Sequence, residues 1–359
     1  MRIVQIIDSL EAGGAERMAV NYANSLSNKI EFSGLIVTRK EGLLLNQINN
    51  KVPYLFLDRK RKIDFQAILK LRNYIKKNKI DLIHAHSSSF FIAVLVKLTM
   101  PKIKIIWHDH YGTRAKESKK QNRILILASL FFTAIFVVNH QLEEWSKKNM
   151  ICKNVIFIPN FSLENKGQQQ ITNLKGTNGK RIVFLANLKN PKNHILILKA
   201  FFDLKLNESD WSLHLIGKDY SDSYSDLLKS FIKLHSLENN IYLYGARNDV
   251  NNILSQASIG VLASTEEGFP VTLLEYSRGN LAVVSTNVGY CSTIIKNDFN
   301  GLLFSPFSDS DVKSQLLKLI LDDSLRKKLS DNMKRSVLEN YTEEIVIEKL
   351  ILAYQKNIK

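Results

Sequence analysis

Apolar residues along this chain fall into short continuous runs and helix-spaced stripes, and the two kinds of segment alternate along most of its length. Ile3 to Ile7 reads as a buried strand. Gly13-Gly14-Ala15-Glu16-Arg17 then opens a helix with Met18, Tyr22 and Leu26 on one face. Leu35 to Thr38 and Tyr54 to Leu57 read as strands, and Phe65 to Lys77 as an amphipathic helix. Leu82 to His86, Lys104 to Trp107, Ile135 to Val138 and Val155 to Ile158 complete a first series of strands. A second series begins at Arg181 to Leu185 and continues with strands at Ser212 to Ile216, Ile241 to Tyr244, Ser258 to Leu262, Val283 to Ser285 and Gly301 to Phe304. Helices fall at His194 to Leu206, Tyr224 to His235, from Val271, Asp311 to Ile320, Leu325 to Glu339 and Thr342 to Gln355. Strand–helix alternation predicts parallel sheets covered on both faces, so the fold class is α/β. Residues 164–180 are poor in apolar side chains and rich in Gln, Asn and Gly, and read as a hinge between two domains.

The longest apolar run, Ile124 to Val138, is interrupted by Ser129 and Thr133 and is too short to span a bilayer. It reads as a helix over about 121–132 leading into a strand over 133–138. The apolar start stops at Asp8 with no cleavage pattern, so the chain is expected to be cytoplasmic. Cys152 and Cys291 offer neither a disulfide framework nor metal-ligand spacing, which fits a reducing compartment. The net charge is +16, and residues 1–165 hold 26 Lys and Arg against 13 Asp and Glu. A basic first half points to an acidic partner, and an anionic membrane surface suits it best. Nucleic acid is not expected, because no zinc, helix-turn-helix or RNP-type pattern accompanies the charge.

The chemistry concentrates at Glu266-Glu267-Gly268-Phe269-Pro270-Val271-Thr272-Leu273-Leu274-Glu275. Two carboxylates flank a helix start, where unpartnered backbone amides suit anions and hydroxyls. Glu267 can accept sugar hydroxyls, the Gly268 to Val271 stretch can face phosphate or sugar oxygens, and Glu275 can reach a ribose. A plain loop-to-helix junction with two solvated glutamates is the competing reading. Gly13 and Gly14 would let a backbone approach a phosphate, although they form neither G-x-G-x-x-G nor a P-loop. In Ala186-Asn187-Leu188-Lys189-Asn190-Pro191-Lys192, Lys192 could neutralise a departing diphosphate. Trp107-His108-Asp109-His110 could be an acid–base set, a polar loop or a metal site, but three successive residues at a strand end converge poorly on an ion. Asp309-Ser310-Asp311 reads as a helix cap and implies no metal.

Together these motifs resemble the retaining glycosyltransferases of the GT-B fold, and glycosyltransferase family 4 most closely. Glu267-x7-Glu275 is similar to the family's E-x7-E signature. Gly13-Gly14-Ala15-Glu16-Arg17 is similar to its turn at the donor diphosphate and acceptor. The Asn187 to Lys192 segment resembles G-R-L-x-x-x-K-G, with Asn187 standing where the family has arginine. Ile158-Pro159-Asn160 and Leu215-Ile216-Gly217 resemble two of its turns. The resemblance implies two Rossmann-like domains facing each other across a cleft. They are an acceptor-side domain over 1–163, the hinge over 164–180 and a nucleotide-sugar domain over 181–340, with a helix over 341–359 returning to the first domain. It implies that His108 faces the reacting sugar while His84 and His86 are packing histidines. Arg247 would lie in the loop that holds the base.

The expected activity is retaining transfer of a sugar from a nucleotide diphosphate sugar, taken as a UDP-sugar, to a lipid-linked or growing bacterial surface polysaccharide. The catalytic residues would be His108, Lys192 and Glu267. Donor contacts would come from Gly13, Gly14, Asn187, Lys192, Arg247, Glu267, Gly268, Phe269, Pro270, Val271 and Glu275. No metal or other cofactor is expected, and the enzyme would sit on the inner face of the cell membrane. The rival readings are a non-catalytic nucleotide-sugar-binding subunit, which the Asn187 replacement alone favours, and a GT-B sugar-nucleotide epimerase or hydrolase.

Overall fold

The computed structural model describes residues 1–11, 13–163 and 170–358. The chain forms two compact units, Met1–Leu163 with Thr342–Lys359, and Glu164–Tyr341.

In the first unit the apolar runs become β1 (Arg2–Ser9), β2 (Phe32–Lys40), β3 (Tyr54–Phe56), β4 (Leu82–His86), β5 (Lys104–Asp109), β6 (Ala134–Val137) and β7 (Val155–Phe157). They form one parallel sheet in the order β3-β2-β1-β4-β5-β6-β7. The stripes become α1 (Gly14–Leu26), α2 (Phe65–Lys77), α3 (Phe90–Thr99), α4 (Arg123–Ala128) and α5 (His140–Asn149). Ile7, Leu10, Ala19, Val20, Ala23, Leu35 and Val37 form one core between α1 and the β1–β2 edge. Asp64 caps α2 by accepting from the Ala67 amide, and Asn139 caps α5 by accepting from Leu142, each satisfying an otherwise orphaned helix donor.

The second unit repeats the plan with β8 (Arg181–Leu185), β9 (Ser212–Ile216), β10 (Ile241–Gly245), β11 (Ile259–Leu262), β12 (Ala282–Thr286) and β13 (Leu302–Phe304), in the order β10-β9-β8-β11-β12-β13. Its helices are α6 (His194–Asp203), α7 (Ser223–Leu234), α8 (Val250–Ser255), α9 (Val271–Arg278), α10 (Cys291–Ile294), α11 (Asp309–Leu321) and α12 (Asp323–Asn340). The core joins Phe184, Leu198, Phe201, Leu213, Leu215, Val261 and Val284 with the inner faces of α6, α7, α11 and α12. In each sheet the strand order reverses beside the first strand, so loops on either side of that reversal open a crevice where ligands bind in such folds. In the second unit these are the loops after β8 and β11.

The final helix, α13 (Glu343–Ile358), packs on the first unit. Tyr354 Oη lies 2.6 Å from His84 Nδ1 and accepts from Gln5 Nε2 at 3.3 Å. Asn154 donates to Asn357 at 2.7 Å, and Lys104 donates to the Ile358 carbonyl.

Several sequence expectations change. The helix read over 121–132 is only α4 and a 3-10 turn at Ser129–Phe131, because it bends into β6. Of the segment read as a hinge, 164–169 lies outside the described residues. The remainder belongs to the second unit and is anchored there. The Ile171 and Thr172 amides both donate to the Asp249 carboxylate, at 2.9 and 2.6 Å, and Thr172 is buried. The α11 cap is Ser308, which accepts from the Asp311 amide, while Asp309 and Asp311 occupy the first turn, where the helix dipole favours them.

Gly260 shows how little slack the second core has. A Cβ there would lie 2.6 Å from the Tyr276 ring. That ring cannot retreat, because Tyr276 Oη accepts from the Leu185 amide and donates to the Val261 carbonyl. Gly260→Ala should therefore destabilise the second unit by about 1–3 kcal/mol, as overpacking does. Denaturant titration of the variant checks this, and an unchanged midpoint would contradict it.

Candidate functional site

Both expected carboxylate and cation partners sit at the β8/β11 crevice. β8 ends at Leu185, and the following loop carries Lys192 to the start of α6. β11 ends at Leu262, and its loop carries Ser264 and Glu267 to the start of α9. The loops are joined by the Thr265 amide donating to the Pro191 carbonyl at 2.9 Å. Lys192 Nζ lies 2.6 Å from Glu267 Oε1, and Ser264 Oγ donates to the same oxygen at 2.7 Å. The Lys192 side chain keeps 27% of its exposure and that of Glu267 keeps 11%, so the pair lines the surface of the crevice without being sealed inside. Gly289 holds this loop from below. Its φ is +54°, and a Cβ would come within 1.8 Å of the Glu267 carbonyl oxygen.

The rest of the signature differs in detail from its reading as a sequence. α9 begins at Val271 with Pro270 as its N-cap, so Glu275 sits about one turn into the helix and is largely buried. Proline carries no amide hydrogen. The donors of this stretch are therefore Gly268, Phe269 and Val271, and Pro270 serves to start the helix. Phe269 is buried and stacks on Tyr290, with ring centres 5.1 Å apart, while Tyr341 meets it edge-on. It anchors the loop.

Asn187 is not idle where the family pattern has arginine. Its Oδ1 accepts from the Lys218 amide at 2.9 Å, tying the exits of β8 and β9 together. Gly217 permits that approach, since a Cβ there would lie 2.0 Å from the Ala186 carbonyl oxygen. Two cations stand beside this junction. The ammonium groups of Lys189 and Lys218 lie 5.7 and 4.9 Å from the centre of the exposed Tyr220 ring. The sequence reading missed Lys218 and Tyr220, although both follow the Leu215-Ile216-Gly217 strand exit. Arg247 is exposed on the loop after β10 and donates to the Ala246 carbonyl. Asn193, next to Lys192, donates to the carbonyl of Pro306. Pro306 lines an open cavity of about 480 Å³ together with Val288, Phe304, Phe307 and Asp311. Cys291 is buried, and burial together with Glu267 pushes its thiol up to about 12, which leaves it unsuited to act as a nucleophile.

In the first unit, Gly13 caps α1 and Gly14 is its first residue. A Cβ at Gly13 would lie 2.2 Å from Glu16 Oε2, so the Glu16 carboxylate folds back over the helix start. Nothing lies within 4 Å of the corresponding point at Gly14, which remains open to a close approach.

His108 is not at an open strand end. It is fully buried in a histidine cluster that also includes His84, His86 and His110. Strand alternation explains this: His84 and His86 share one face of β4, and parallel register places His108 beside His86 on that same face. His84 Nε2 lies 3.2 Å from His108 Nδ1, and His86 Nδ1 lies 3.0 Å from His110 Nε2. His86 Nε2 meets Gln5 Oε1 at 2.9 Å. Tyr22 of α1 packs over His86 and His108. His110 is the member with partial exposure. Asp109 faces the other way and pairs with Arg114. His84, His86 and His108 bring ring nitrogens within 4.8 Å of one another, close enough for a shared ion. Both ring nitrogens of His84 and of His86 are already engaged within the protein.

The family model described as "Glycosyltransferase Family 4" matches residues 12–161, and "Glycosyl transferases group 1" matches residues 165–336. The chain is a glycosyltransferase of this group 1, family 4 type. Its relatives include the UDP-Gal:alpha-D-GlcNAc-diphosphoundecaprenol alpha-1,3-galactosyltransferase of Escherichia coli, 24% identical over 91% of this chain and 90% of that one. The capsular polysaccharide biosynthesis glycosyltransferase CapH of Staphylococcus aureus is 22% identical over 92% and 91%. Among solved structures, the Anabaena protein HepE in complex with UDP and glucose superposes with a TM-score of 0.83 at 15% identity, covering 99% of this chain and all of that one. The shared fold is GT-B.

The histidine cluster makes the stability of this glycosyltransferase depend on pH. Burial holds His84, His86 and His108 well below their usual range and lowers His110 to about 3. All four are therefore neutral in the folded protein, while the unfolded chain takes up protons below about pH 6.5. Stability from this source is complete above that pH and falls as pH drops below it, by about 1.4 kcal/mol per pH unit for each withheld proton. The melting temperature should hold between pH 7 and 8 and fall between about pH 6.5 and 4. His86→Gln combined with His110→Asn should make that fall shallower. An equal slope in wild type and variant would refute the assignment.

Proposed function

We propose that this glycosyltransferase moves a sugar from a UDP-sugar to a lipid-linked precursor of a bacterial surface polysaccharide, with retention of anomeric configuration. The observation that carries the reading is the Lys192–Glu267–Ser264 constellation at the β8/β11 crevice, with Glu275 one turn into α9 behind it. A cation and a carboxylate held together suit a ligand that is anionic at one end and hydroxylated at the other. Lys192 would turn to the diphosphate and stabilise the charge that develops as it leaves. Glu267, released from Lys192, would accept hydroxyls of the donor sugar, and Glu275 would hold the ribose.

In the transfer step the bond from the anomeric carbon to the diphosphate oxygen breaks, and the acceptor oxygen bonds to the same face of that carbon. The acceptor's hydroxyl proton passes to the departing diphosphate. No metal is assigned a role. Gly14, at the start of α1, would offer a close backbone approach to a ligand. His108, whose own ring is buried, would act as a positioning residue through its ring contact with His110 at 4.1 Å. The acceptor class is supported by relatives whose names specify diphosphoundecaprenol-linked or capsular substrates, and by the basic first half of the chain, which suits an anionic membrane surface.

Calorimetric titration with UDP, GDP, ADP and CMP tests the donor. UDP should bind, and Glu275→Ala should weaken it by roughly tenfold or more, the loss expected of a charge-assisted hydrogen bond. Lys192→Ala should weaken UDP but leave uridine unaffected. If a different nucleotide binds in place of UDP, or none does at millimolar concentration, the donor reading fails. NMR of the transfer product should show the donor's anomeric configuration, and an inverted product would overturn retention.

A further inference from the structure

Three consecutive helices of the first unit form one layer, α2 packing on α3 and α3 on α4. The outward side of this layer has an unusual composition. α3, Phe90-Phe91-Ile92-Ala93-Val94-Leu95-Val96-Lys97-Leu98-Thr99, has no polar face. A helix that is apolar all round is normally buried on every side. Here only Ile92, Ala93 and Val96 are fully buried, Phe91, Val94 and Leu95 are partly buried and Leu98 is exposed. On α4 and the turn after it, Ile124, Leu127 and Leu130 repeat every three residues and are 68%, 59% and 65% exposed, while Leu125 and Ala128 on the other side are buried. On α2, Phe65 and Leu69 stand one turn apart and are exposed as well. Scattered exposed leucines are ordinary, but exposed large apolar residues on each of three helices packed in sequence are less so.

Charge decides what this face fits. The three helices contain no Asp or Glu and carry Lys70, Arg72, Lys76, Lys77, Lys97 and Arg123. Lys119 and Lys120 are exposed just before α4, and Lys60, Arg61 and Lys62 just before α2. Some of these cations also serve the fold, Lys60 pairing with Asp58, Lys70 donating to the Phe56 carbonyl and Lys97 to the carbonyls of Pro101 and Ile103. Arg59 is buried against Asp8, and Arg114 is paired with Asp109. The carboxylates in these loops are also engaged, Asp64 as the α2 cap and Glu117 on Asn122. Lysine is depleted at protein–protein interfaces, whereas lysines flanking an apolar face suit anionic headgroups.

We propose that the outer face of the α2–α3–α4 layer docks on an anionic lipid surface. Ile124, Leu127, Leu130, Leu98, Phe65 and Leu69 enter the headgroup boundary, and the flanking lysines and arginines meet lipid phosphates. Apolar burial and attraction to anionic headgroups act together at such an interface. The proposal rests on the reading of a lipid-linked acceptor and names the surface that brings the enzyme to that acceptor's membrane.

The test is sedimentation of the full-length protein with vesicles of phosphatidylcholine alone, or of phosphatidylcholine mixed with phosphatidylglycerol. Wild type should bind the mixed vesicles roughly tenfold or more better than the neutral ones, and added salt should weaken that binding. The combined variant Ile124→Ser, Leu127→Ser, Leu130→Ser should lose roughly tenfold or more of the binding, with unchanged melting and unchanged UDP titration. Lys119→Glu with Lys120→Glu should do the same, through side chains that pack against nothing in the core. If wild type ignores both vesicles, or the serine variant binds as wild type does, the proposal is overturned. It is also overturned if wild type self-associates in the ultracentrifuge, the serine variant does not, and neither binds vesicles, since the face would then join two copies. UDP binding is read separately, so a failed donor site and a failed docking surface give different results.

Discussion

A parallel sheet has to be covered on both faces, and in the first unit that cover draws on both ends of the chain. Gln5, in the second residue pair of the opening strand, has no exposure and needs polar partners inside the protein. It finds them in His86 and in Tyr354 of the last helix. Tyr354 in turn satisfies His84, which meets His108. The network joins β1, β4, β5 and α13 through neutral side chains in a desolvated interior, where each unpaired group would be costly. The terminal helix is thereby part of the first unit's core.

The second unit solves a different problem with similar means. Its crevice needs charged groups within reach of solvent on loops that do not collapse. The backbone supplies the rigidity. Pro191 accepts from Thr265, Gly289 lies directly beneath the Glu267 carbonyl, Asn187 ties down Lys218, and Phe269 is clamped by Tyr290 and Tyr341. Lys192 and Glu267 can then satisfy each other and still remain at the surface. The two units therefore place their charge differently. One has buried its ionisable cluster in the neutral state, while the other keeps its ion pair accessible.

Much of this was legible in the chain because local rules are strong. The apolar runs of a parallel sheet, the glycine at a helix start, and the Glu267–Glu275 spacing with Lys192 upstream are statements about a few neighbouring residues. Other features depended on partners far away in sequence. α3 was not recognised as a helix, since ten mostly apolar residues without an amphipathic stripe resemble a strand as much as a helix. The short reach of α4 depended on where β6 begins. The burial of His108 depended on register with β4.

The two α/β series, the loop positions of Lys192 and Glu267 and the excess of cations in the first half can be read from the chain without its fold. These follow from periodicity, turn chemistry and counting, which need no knowledge of distant contacts. Tertiary packing settles that His108 is fully enclosed while His110 keeps partial exposure, that Asn187 serves as a tie between strand exits, and that residues 171–172 are fastened to Asp249. It also decided which cations are spent on the fold and which remain exposed. Each of those outcomes is fixed by which strands are neighbours and in what register, and a one-residue change of register turns every side chain of a strand to the opposite face.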